Sequence, residues 1–251
     1  MATKQESLGT IRVLSFGGGV QSTAMLVAAV LGKIKKPDLA IFADTQWEPP
    51  PVMEHVKFMA QWAKERGFEV CTVTHASIRS ERGAKQMPLQ VLKPNGDIIK
   101  IGRQCTTDYK ITPIRKEVRR RLGYVKGERW KHHLESWLGI TVDEAQRMKP
   151  SDKKWETVCW PLIDELSWNR EDCKRYIEKN GLPVPMKSSC VGCPYHSDHY
   201  FREMKLHRPD EWADAVDFDE SLRSDFTFRG MPEGQAFIHR KCIPLKDIYL
   251  Q

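Results

Sequence analysis

This 251-residue sequence contains two cysteines three positions apart, a spacing that suits metal binding or redox chemistry. They are Cys190 and Cys193 in "SSCVGCPYHSDH" (188–199), and Pro194 follows the second. Zinc sites, redox dithiols and iron–sulfur sites all use the CxxC spacing. A proline directly after a cysteine ligand is typical of iron–sulfur sites. The stretch therefore indicates a thiolate site and leaves its metal open.

Two further cysteines can complete a metal site. Cys105 ("RQCTTDYK") and Cys242 ("HRKCIPL") each lie in a basic, loop-like segment. With the CxxC pair they give four thiolates, the usual ligand set of a [4Fe-4S] cluster. For zinc, His196 and His199 could replace the two remote thiols, although that spacing is cramped. We expect the cluster, with zinc and a redox dithiol as alternatives, and we expect both histidines to lie near the ligands or at the surface.

The stretch "TIRVLSFGGGVQSTAMLVAAVLGK" indicates what the chain binds. Residues 11–16 form a short apolar run typical of a buried strand, glycines 17–19 interrupt it, and residues 22–31 favour a helix. Amides of a glycine loop and of a helix N-terminus bind phosphate. Ser22 and Thr23 are predicted to cap the helix and to reach a phosphate oxygen. The alternative is a plain glycine turn, and neither the Walker A nor the dinucleotide glycine pattern is present.

The loop "SFGGGVQST" resembles the pyrophosphate loop of the PP-loop ATP pyrophosphatases, whose pattern is SGGxDS. Glycine at the first serine position and glutamine at the acidic position resemble the PAPS reductase-like branch, which includes sulfonucleotide reductases and iron–sulfur thiolation enzymes. The resemblance implies a site for ATP or another adenine nucleotide, with Mg²⁺ neutralising the pyrophosphate. The residues it assigns to the nucleotide are Ser15, Gly17, Gly18, Gly19, Gln21, Ser22, Thr23 and Asp44.

Asp44 enters this set through the next predicted strand. "DLAIFADTQWEPP" (38–50) is apolar from Leu39 to Ala43 and then reaches an Asp-Thr pair. Ligands of open α/β sheets bind at the carboxyl ends of strands, and this pair resembles the family's second nucleotide-contacting segment. The alternative is that Asp44 only caps the helix predicted at 52–67. With a third strand at 68–75, the alternation predicts an open, mostly parallel sheet with helices on both faces, the adenine nucleotide alpha-hydrolase-like fold of the family.

A basic helix is predicted to follow Cys105. Residues 93–101 carry a hairpin signal, and Thr106 or Thr107 is then predicted to cap a helix with the basic run 116–121. Cys105 would lie near the positive end of that helix, which favours a thiolate. Lys110 lies close by, and we assign it to the anionic nucleotide as a catalytic candidate.

Two later segments extend the resemblance. "ESWLGITVDEAQRMK" (135–149) predicts a strand and a short charged helix, and it resembles the family's "GxR…ES…R" element with Glu144 and Arg147 as counterparts. Arg147 is therefore the second catalytic candidate. "VCWPLIDELSWNREDCKRYIEKNGLPVP" (158–185) resembles another family segment and predicts a helix that begins after Ser167 or Asn169. The cysteines not assigned to the metal site are expected to be packing residues: Cys71, Cys159 and Cys173.

Composition describes an ordinary globular chain with a basic surface. Hydrophobic residues make up 40% and charged residues 29%, and the net charge of +7 suits a polyanionic partner. No apolar run approaches the roughly 20 residues of a membrane span, and "MATKQESLGT" has no apolar secretion segment, so we expect a cytoplasmic protein without a membrane partner. We predict a nucleotide-binding α/β domain at residues 1–165 and a helical, cysteine-bearing part at 166–251 packed on it.

Three functions follow from these features. In the first, ATP adenylates an oxygen of an acceptor such as tRNA, DNA or a nucleoside, pyrophosphate leaves, and the cluster delivers sulfur from a donor. In the second, a cysteine reduces a sulfonucleotide with electrons from a donor, although the ECG(L/I)H motif of those reductases is missing. In the third, the chain is a non-catalytic nucleotide-binding subunit of a nucleic-acid modification or defence complex. Self-association is left open as well. We expect the first.

Overall fold

The computed structural model describes residues 9–224 and 233–249 of the chain. Residues 1–8, which the prediction about secretion concerns, lie outside them. In chain order the strands are β1 (Thr10–Ser15), β2 (Leu39–Asp44), β3 (Val70–Thr74), β4 (Gln90–Leu92), β5 (Ile98–Lys100), β6 (His133–Trp137), β7 (Glu156–Cys159) and β8 (Gln235–Phe237). The α-helices are α1 (Val20–Val30), α2 (Pro50–Lys64), α3 (Glu81–Ala84), α4 (Thr112–Arg121), α5 (Pro161–Asp164), α6 (Arg170–Lys179), α7 (Asp198–His207) and α8 (Pro209–Ser224).

These elements belong to two units. The first holds the residues up to Ala43 together with Pro50–Val73 and Ile114–Ser188, and the second holds Asp44–Pro49, Thr74–Pro113 and the residues from Ser189 onward. The predicted boundary between residues 165 and 166 does not coincide with this division. The reason is that segments following β2 and β3 share an apolar cluster with the C-terminal residues.

The sheet of the first unit has the strand order β3-β2-β1-β6-β7. β1 pairs in parallel with β2 and with β6, and β6 pairs in parallel with β7. The chain builds outward from β1 in one direction and then returns to its other side at β6. Ligands of open α/β sheets bind where the strand order reverses in this way, beyond the carboxyl ends of the strands. The predicted open parallel sheet is confirmed.

Alternate residues along each strand point to opposite faces of this sheet, and helices cover both faces, so both are buried. On one face Leu14 and Phe42 pack with α1, α2 and α6. On the other face Val13 and Ile41 pack with Val118 of α4. Each such side chain, when fully buried, contributes about 1.5–3 kcal/mol. Helices on both faces, as predicted, hold the ends of β1 and β6 in place.

The second unit is built on three short antiparallel strands in the order β5-β4-β8. The predicted hairpin is confirmed, because β4 pairs with β5 across the turn. β8, which pairs with the other edge of β4, was not predicted; three residues are too few to show an alternating pattern. The helices α7 and α8 pack together beside this sheet over a core that includes Trp47 and Phe218. Within the described ranges, no helix has the length and apolar character needed to cross a bilayer.

Candidate functional site

The glycine loop of the first unit runs from the end of β1 to the start of α1. Gly18 has a φ of +71°, and a Cβ built on it would lie 2.8 Å from Cγ2 of Val56 and 3.3 Å from Cγ1 of Val52. A side chain at this position would therefore meet both a disfavoured backbone conformation and the buried face of α2. Ser15, the predicted upstream contact, is the last residue of β1 and is half-buried.

The helix that follows presents an uncapped N-terminus. α1 begins at Val20, its N-cap residue is Gly19, no side chain caps it, and its first turn contains no acidic residue. The first amides of a helix have no partner within the helix, and the helix dipole makes this end positive. The end of α1 can therefore accept an anion. The predicted capping by Ser22 and Thr23 is wrong, because the helix begins two residues earlier than expected and both residues lie inside it.

Ser22 and Thr23 have other partners. Ser22 Oγ accepts a hydrogen bond from Gly17 N (3.1 Å) and donates one to Gly19 O (3.2 Å), so this hydroxyl fixes the loop. Thr23 is fully buried, and its Oγ1 lies 3.0 Å from Nε2 of His55 on α2. Burial lowers the pKa of His55 to about 4, so the imidazole is neutral near neutral pH. Thr23 and His55 thus join α1 to α2 beneath the loop.

Gln21 connects the start of α1 to two other elements. Its Nε2 donates to Oε2 of Glu144 (3.1 Å), and its Oε1 accepts from Nη1 of Arg170 at the start of α6 (2.8 Å). Glu144 also pairs with Arg147 at 2.7 Å in the 3₁₀-helix Val142–Arg147, where the Arg147 side chain is 57% exposed. Gln21, which stands where the resembled PP-loop pattern has an acidic residue, is therefore held between the Glu144 carboxylate and the Arg170 guanidinium.

The segment after β6 comes close to the same helix end. A Cβ built on Gly139 would lie 2.9 Å from Ser22 N, so only glycine allows this approach. Ser188 closes the loop from another direction by donating a hydrogen bond to Gly17 O. The segments that follow β1 and β6 thus meet at the point where the strand order reverses, which is where ligand sites form in such sheets.

The cysteine pair of the second unit lies in a tightly held turn. Cys193 N donates to Cys190 O (3.1 Å), and Nε2 of His196 lies 2.9 Å from the same carbonyl. Val191 N donates to the carbonyl of Trp47 (2.8 Å), and a Cβ on Gly192 would lie 2.1 Å from the Trp47 ring. His196 is buried and supports the turn through the backbone.

Cys190 lies beside a buried carboxylate, Glu48, which pairs with the partly exposed Lys110. Its Sγ is 3.2 Å from Thr45 Oγ1 and 3.9 Å from Oε1 of Glu48. The Glu48 side chain is fully buried; its Oε1 lies 3.5 Å from Nζ of Lys110, and its Oε2 has no hydrogen-bond partner among the described residues. Burial, and then the Glu48 carboxylate, raise the pKa of the Cys190 thiol to about 12. Desolvation is the largest effect on Lys110 and would lower its pKa, but the Glu48 carboxylate and the neighbouring Cys190 and Cys193 together raise the pKa above its ordinary value.

The other two predicted thiols belong to the same unit. Cys105 is half-buried and packs against the apolar cluster that contains Cys190 and Cys193. The predicted cap by Thr106 or Thr107 is wrong: the backbone of Thr106 is already helical and its side chain makes no cap, and Thr107 lies inside a π-helix, Thr107–Ile111, that leads into α4. Cys242 is buried, and its amide donates to His239 O (3.0 Å).

These thiols fit an iron–sulfur cluster in donor chemistry, since all four belong to one unit and two share a fixed turn. Across residues 9–224 and 233–249, no three His, Cys, Asp or Glu side chains form a group that could hold a metal ion. A cluster would therefore require the thiols to come closer together. The four-cysteine ligand set stays a prediction.

The remaining cysteines lie in the first unit and pack in its core. Cys173 of α6 and Cys159 of β7 belong to the cluster around α1, and Cys71 of β3 packs on the opposite face. Burial raises the pKa of Cys173 to about 12. The prediction that these three are packing residues is confirmed.

Asp44 is the last residue of β2 and belongs to the second unit. Its Oδ1 accepts a hydrogen bond from Gln46 N (2.7 Å), across a turn in which Gln46 has a φ of +58°. The predicted contact of Asp44 with a nucleotide stays a prediction. The turn shows that the carboxylate already shapes the backbone of its own segment.

No protein-family model and no curated protein sequence matches the chain. Solved structures do match. One is the U34-tRNA thiolase NcsA from Methanococcus maripaludis with its [4Fe-4S] cluster; the two are 15% identical, with a TM-score of 0.39, over 88% of this chain and 74% of that chain. A likeness this distant carries no information about activity or substrate.

Sequence reasoning missed three residues at these sites. His55 shares the apolar face of α2 with Val52, Val56 and Met59, and that spacing could have revealed its burial. Glu48 is a lone acid between Trp47 and Pro49, which is a weaker signal. Arg170 occupies an ordinary first position of a helix, and only the folded chain shows that it contacts Gln21.

Proposed function

We propose that this chain is a PP-loop nucleotide-binding enzyme that uses ATP to activate an acceptor for sulfur transfer. The observation that carries the proposal is the glycine loop followed by an uncapped helix N-terminus at the reversal point of a parallel sheet. Phosphate binds at such a place through backbone amides and the helix dipole. A plain glycine turn would need neither the close approach of Gly139 nor the hydrogen bonds that Ser22 makes within the loop.

In the proposed reaction, an acceptor oxygen attacks the α-phosphorus of ATP, and the bond to the pyrophosphate oxygen breaks. Amides of Gly18 and Gly19 would bind the leaving pyrophosphate, while the Gly17 amide stays bonded to Ser22 Oγ, and Mg²⁺ would neutralise part of the charge. Hydrosulfide supplied by a donor then attacks the acceptor carbon, the bond from that carbon to the adenylated oxygen breaks, and AMP leaves with the oxygen. Pyrophosphate leaves in the first substitution and AMP in the second, and because both are good leaving groups, both substitutions are favourable.

Cationic side chains have separate proposed roles in this reaction. Arg147 is held by Glu144 and is more than half exposed, so it could turn toward an α-phosphate. Lys110 is proposed as the second catalytic cation, and in the described structure its ammonium is paired with the buried Glu48 carboxylate. Asp44 is proposed to contact the nucleotide, as the resemblance of its segment implies.

Cys105, Cys190, Cys193 and Cys242 are the residues proposed to hold a [4Fe-4S] cluster. With all four thiolates bound, a cluster would have no open iron; if Cys242 did not bind, one iron would be open and could hold sulfur. The chain's own contribution is the fixed turn of the CxxC pair and the apolar cluster that excludes water from it. Because burial keeps the Cys190 thiol protonated, metal binding there must release a proton.

Product analysis tests the ATP chemistry. Anaerobically purified protein is incubated with labelled ATP, Mg²⁺, sulfide and unfractionated transfer RNA, and in parallel with duplex DNA. The proposal expects AMP and pyrophosphate in equal amounts. ADP and inorganic phosphate, or sulfite released from a sulfonucleotide offered in place of ATP, would contradict it.

Iron and acid-labile sulfide analysis tests the cysteine assignment separately. The proposal expects about four of each per chain, with broad absorption in the visible range. Zinc in place of iron would overturn the cluster while leaving the nucleotide site intact.

A further inference from the structure

Most of the chain's excess positive charge lies in one stretch of the first unit. Residues 114–133 contain eight arginines and lysines and two glutamates, a net of six positive charges in a chain whose total is +7. The basic residues are Arg115, Lys116, Arg119, Arg120, Arg121, Lys126, Arg129 and Lys131. The stretch covers α4 and the loop that leads to β6.

Three of these cations are exposed and lack an anionic partner. Four of the others form ion pairs with acidic side chains: Arg115 with Glu156, Arg120 with Glu117, Arg121 with Glu69 and Glu117, and Lys131 with Glu128. Lys116, Lys126 and Arg129 are exposed, and no carboxylate of the described residues lies within ion-pair distance of them. A carboxylate at ion-pair distance offsets much of the charge of its partner, so Lys116, Lys126 and Arg129 are the exposed cations of the stretch whose charge is not offset in this way.

The loop that carries two of them is held in one shape. Tyr124 Oη accepts hydrogen bonds from the amides of Lys131 (2.6 Å) and His132 (2.9 Å). Arg119 Nη2 donates to two carbonyls of the loop, at 3.2 and 2.7 Å. Trp130 stacks on Trp155 with ring centres 4.2 Å apart and planes 8° from parallel. Lys126 and Arg129 are therefore presented by a fixed backbone, which lowers the entropy lost on binding.

The helix dipole explains only some of the basic residues in this stretch. Basic residues in the last turn of a helix interact favourably with its dipole, which accounts for Arg119, Arg120 and Arg121. Lys126 and Arg129 lie beyond the end of α4 and cap nothing. Their charge has no use within the described structure.

We propose that Lys116, Lys126 and Arg129 form a docking surface for the phosphate backbone of a nucleic acid. This α4 basic surface would position the strand without reading its sequence, as most phosphate contacts do. The inference goes beyond the proposed function, which requires only that the acceptor be activated. It also stands if the acceptor reaches the chain by another route.

Binding of a labelled single strand at several salt concentrations tests the surface. The probes are a fluorescein-labelled RNA of about 20 nucleotides and the DNA strand of the same sequence, with ATP absent, between about 50 and about 200 mM salt. The test variant is Lys116→Gln, Lys126→Gln and Arg129→Gln together. The control is Lys35→Gln, Lys57→Gln and Lys179→Gln together, which removes the same charge from exposed lysines elsewhere in the first unit.

Each phosphate contact on a single strand contributes about 0.7 to the slope of log affinity against log salt, so three lost contacts should lower that slope by about 2. We expect at least about tenfold weaker binding by the test variant at the lowest salt and a near-unchanged slope for the control. Equal behaviour of RNA and DNA assigns the contact to the phosphate backbone, and tighter RNA binding adds contacts to the 2′-hydroxyl; either supports the surface.

Equal losses in the two variants would overturn the proposal, because net charge alone would then explain binding. So would the absence of salt-dependent binding by the unmodified chain. Circular dichroism and urea unfolding of both variants check that they fold. Since the assay contains no ATP, a negative result here leaves the proposed adenylation untouched, and failure of ATP chemistry leaves this binding result unaffected.

Discussion

Replacing Gly18 with alanine tests the loop geometry on which the nucleotide site depends. The positive φ of +71° costs an L-residue about 1–2 kcal/mol. The new Cβ would also lie 2.8 Å from Cγ2 of Val56, which is buried in α2 and stiff about χ1. Overpacking of this kind typically costs about 1–3 kcal/mol. We therefore expect Gly18→Ala to lower the free energy of unfolding by about 2–5 kcal/mol.

Gly67→Ala is the matched control for the conformational part. Gly67 has a φ of +67°, and a Cβ there would meet nothing within 4 Å, so only the backbone cost of about 1–2 kcal/mol applies. Urea unfolding of both variants gives the two free energies. In a Val56→Ala background most of the clash is removed, and the cost of Gly18→Ala should fall toward that of Gly67→Ala. Equal costs at the two glycines, or no relief in that background, would refute the close approach of the loop to α2.

Three further changes test other parts of the site. Ser22→Ala removes the acceptor of Gly17 N, and we expect nucleotide affinity to fall about tenfold; calorimetric titration that finds no change would remove the loop assignment. Burial lowers the pKa of His55 to about 4, below its value in the unfolded chain, so the stability that depends on neutral His55 is present above about pH 6.5 and is lost as the pH falls. The free energy of unfolding should decrease by about 2 kcal/mol between about pH 7 and about pH 5. Unfolding of a His55→Gln variant, measured over the same pH range, should lack this decrease. Cys190→Ala should abolish any cluster absorption while Cys173→Ala, in the core of the first unit, should retain it; a full spectrum in the first variant would exclude the ligand set.

The fold followed from the sequence because its strands are apolar and separated by strong helix formers. β2 reads as an uninterrupted apolar run, and the residues after the glycine loop favour helix, so both elements were placed within two residues. α6 begins after Asn169, one of the two predicted starting points, and the capping box between Asn169 and Asp172 is the local reason. Such local signals do not report which segments share a core, and so the division into two units could not be read from them.

The site was predicted in its residue types but less well in its contacts. Glycines at 17–19 predict a loop, but the partners of Ser22 and Thr23 depend on where α1 begins. Because α1 begins two residues earlier than predicted, both side chains lie inside the helix and do not cap it. Glu48 and Cys190 are 142 positions apart, and only folding brings that carboxylate beside the thiol. Long-range pairs of this kind leave no periodic trace in a single sequence.

The central claim is that the glycine loop and the N-terminus of α1 bind the phosphates of an adenine nucleotide. Calorimetric titration of the full chain with ATP, AMP and adenosine, each with Mg²⁺, tests it most directly. Amide and dipole contacts to phosphate predict that ATP binds at least about a hundredfold more tightly than adenosine, with AMP between them, and that Ser22→Ala lowers this ratio about tenfold. Equal affinity for ATP and adenosine, or no binding of either, would contradict the account.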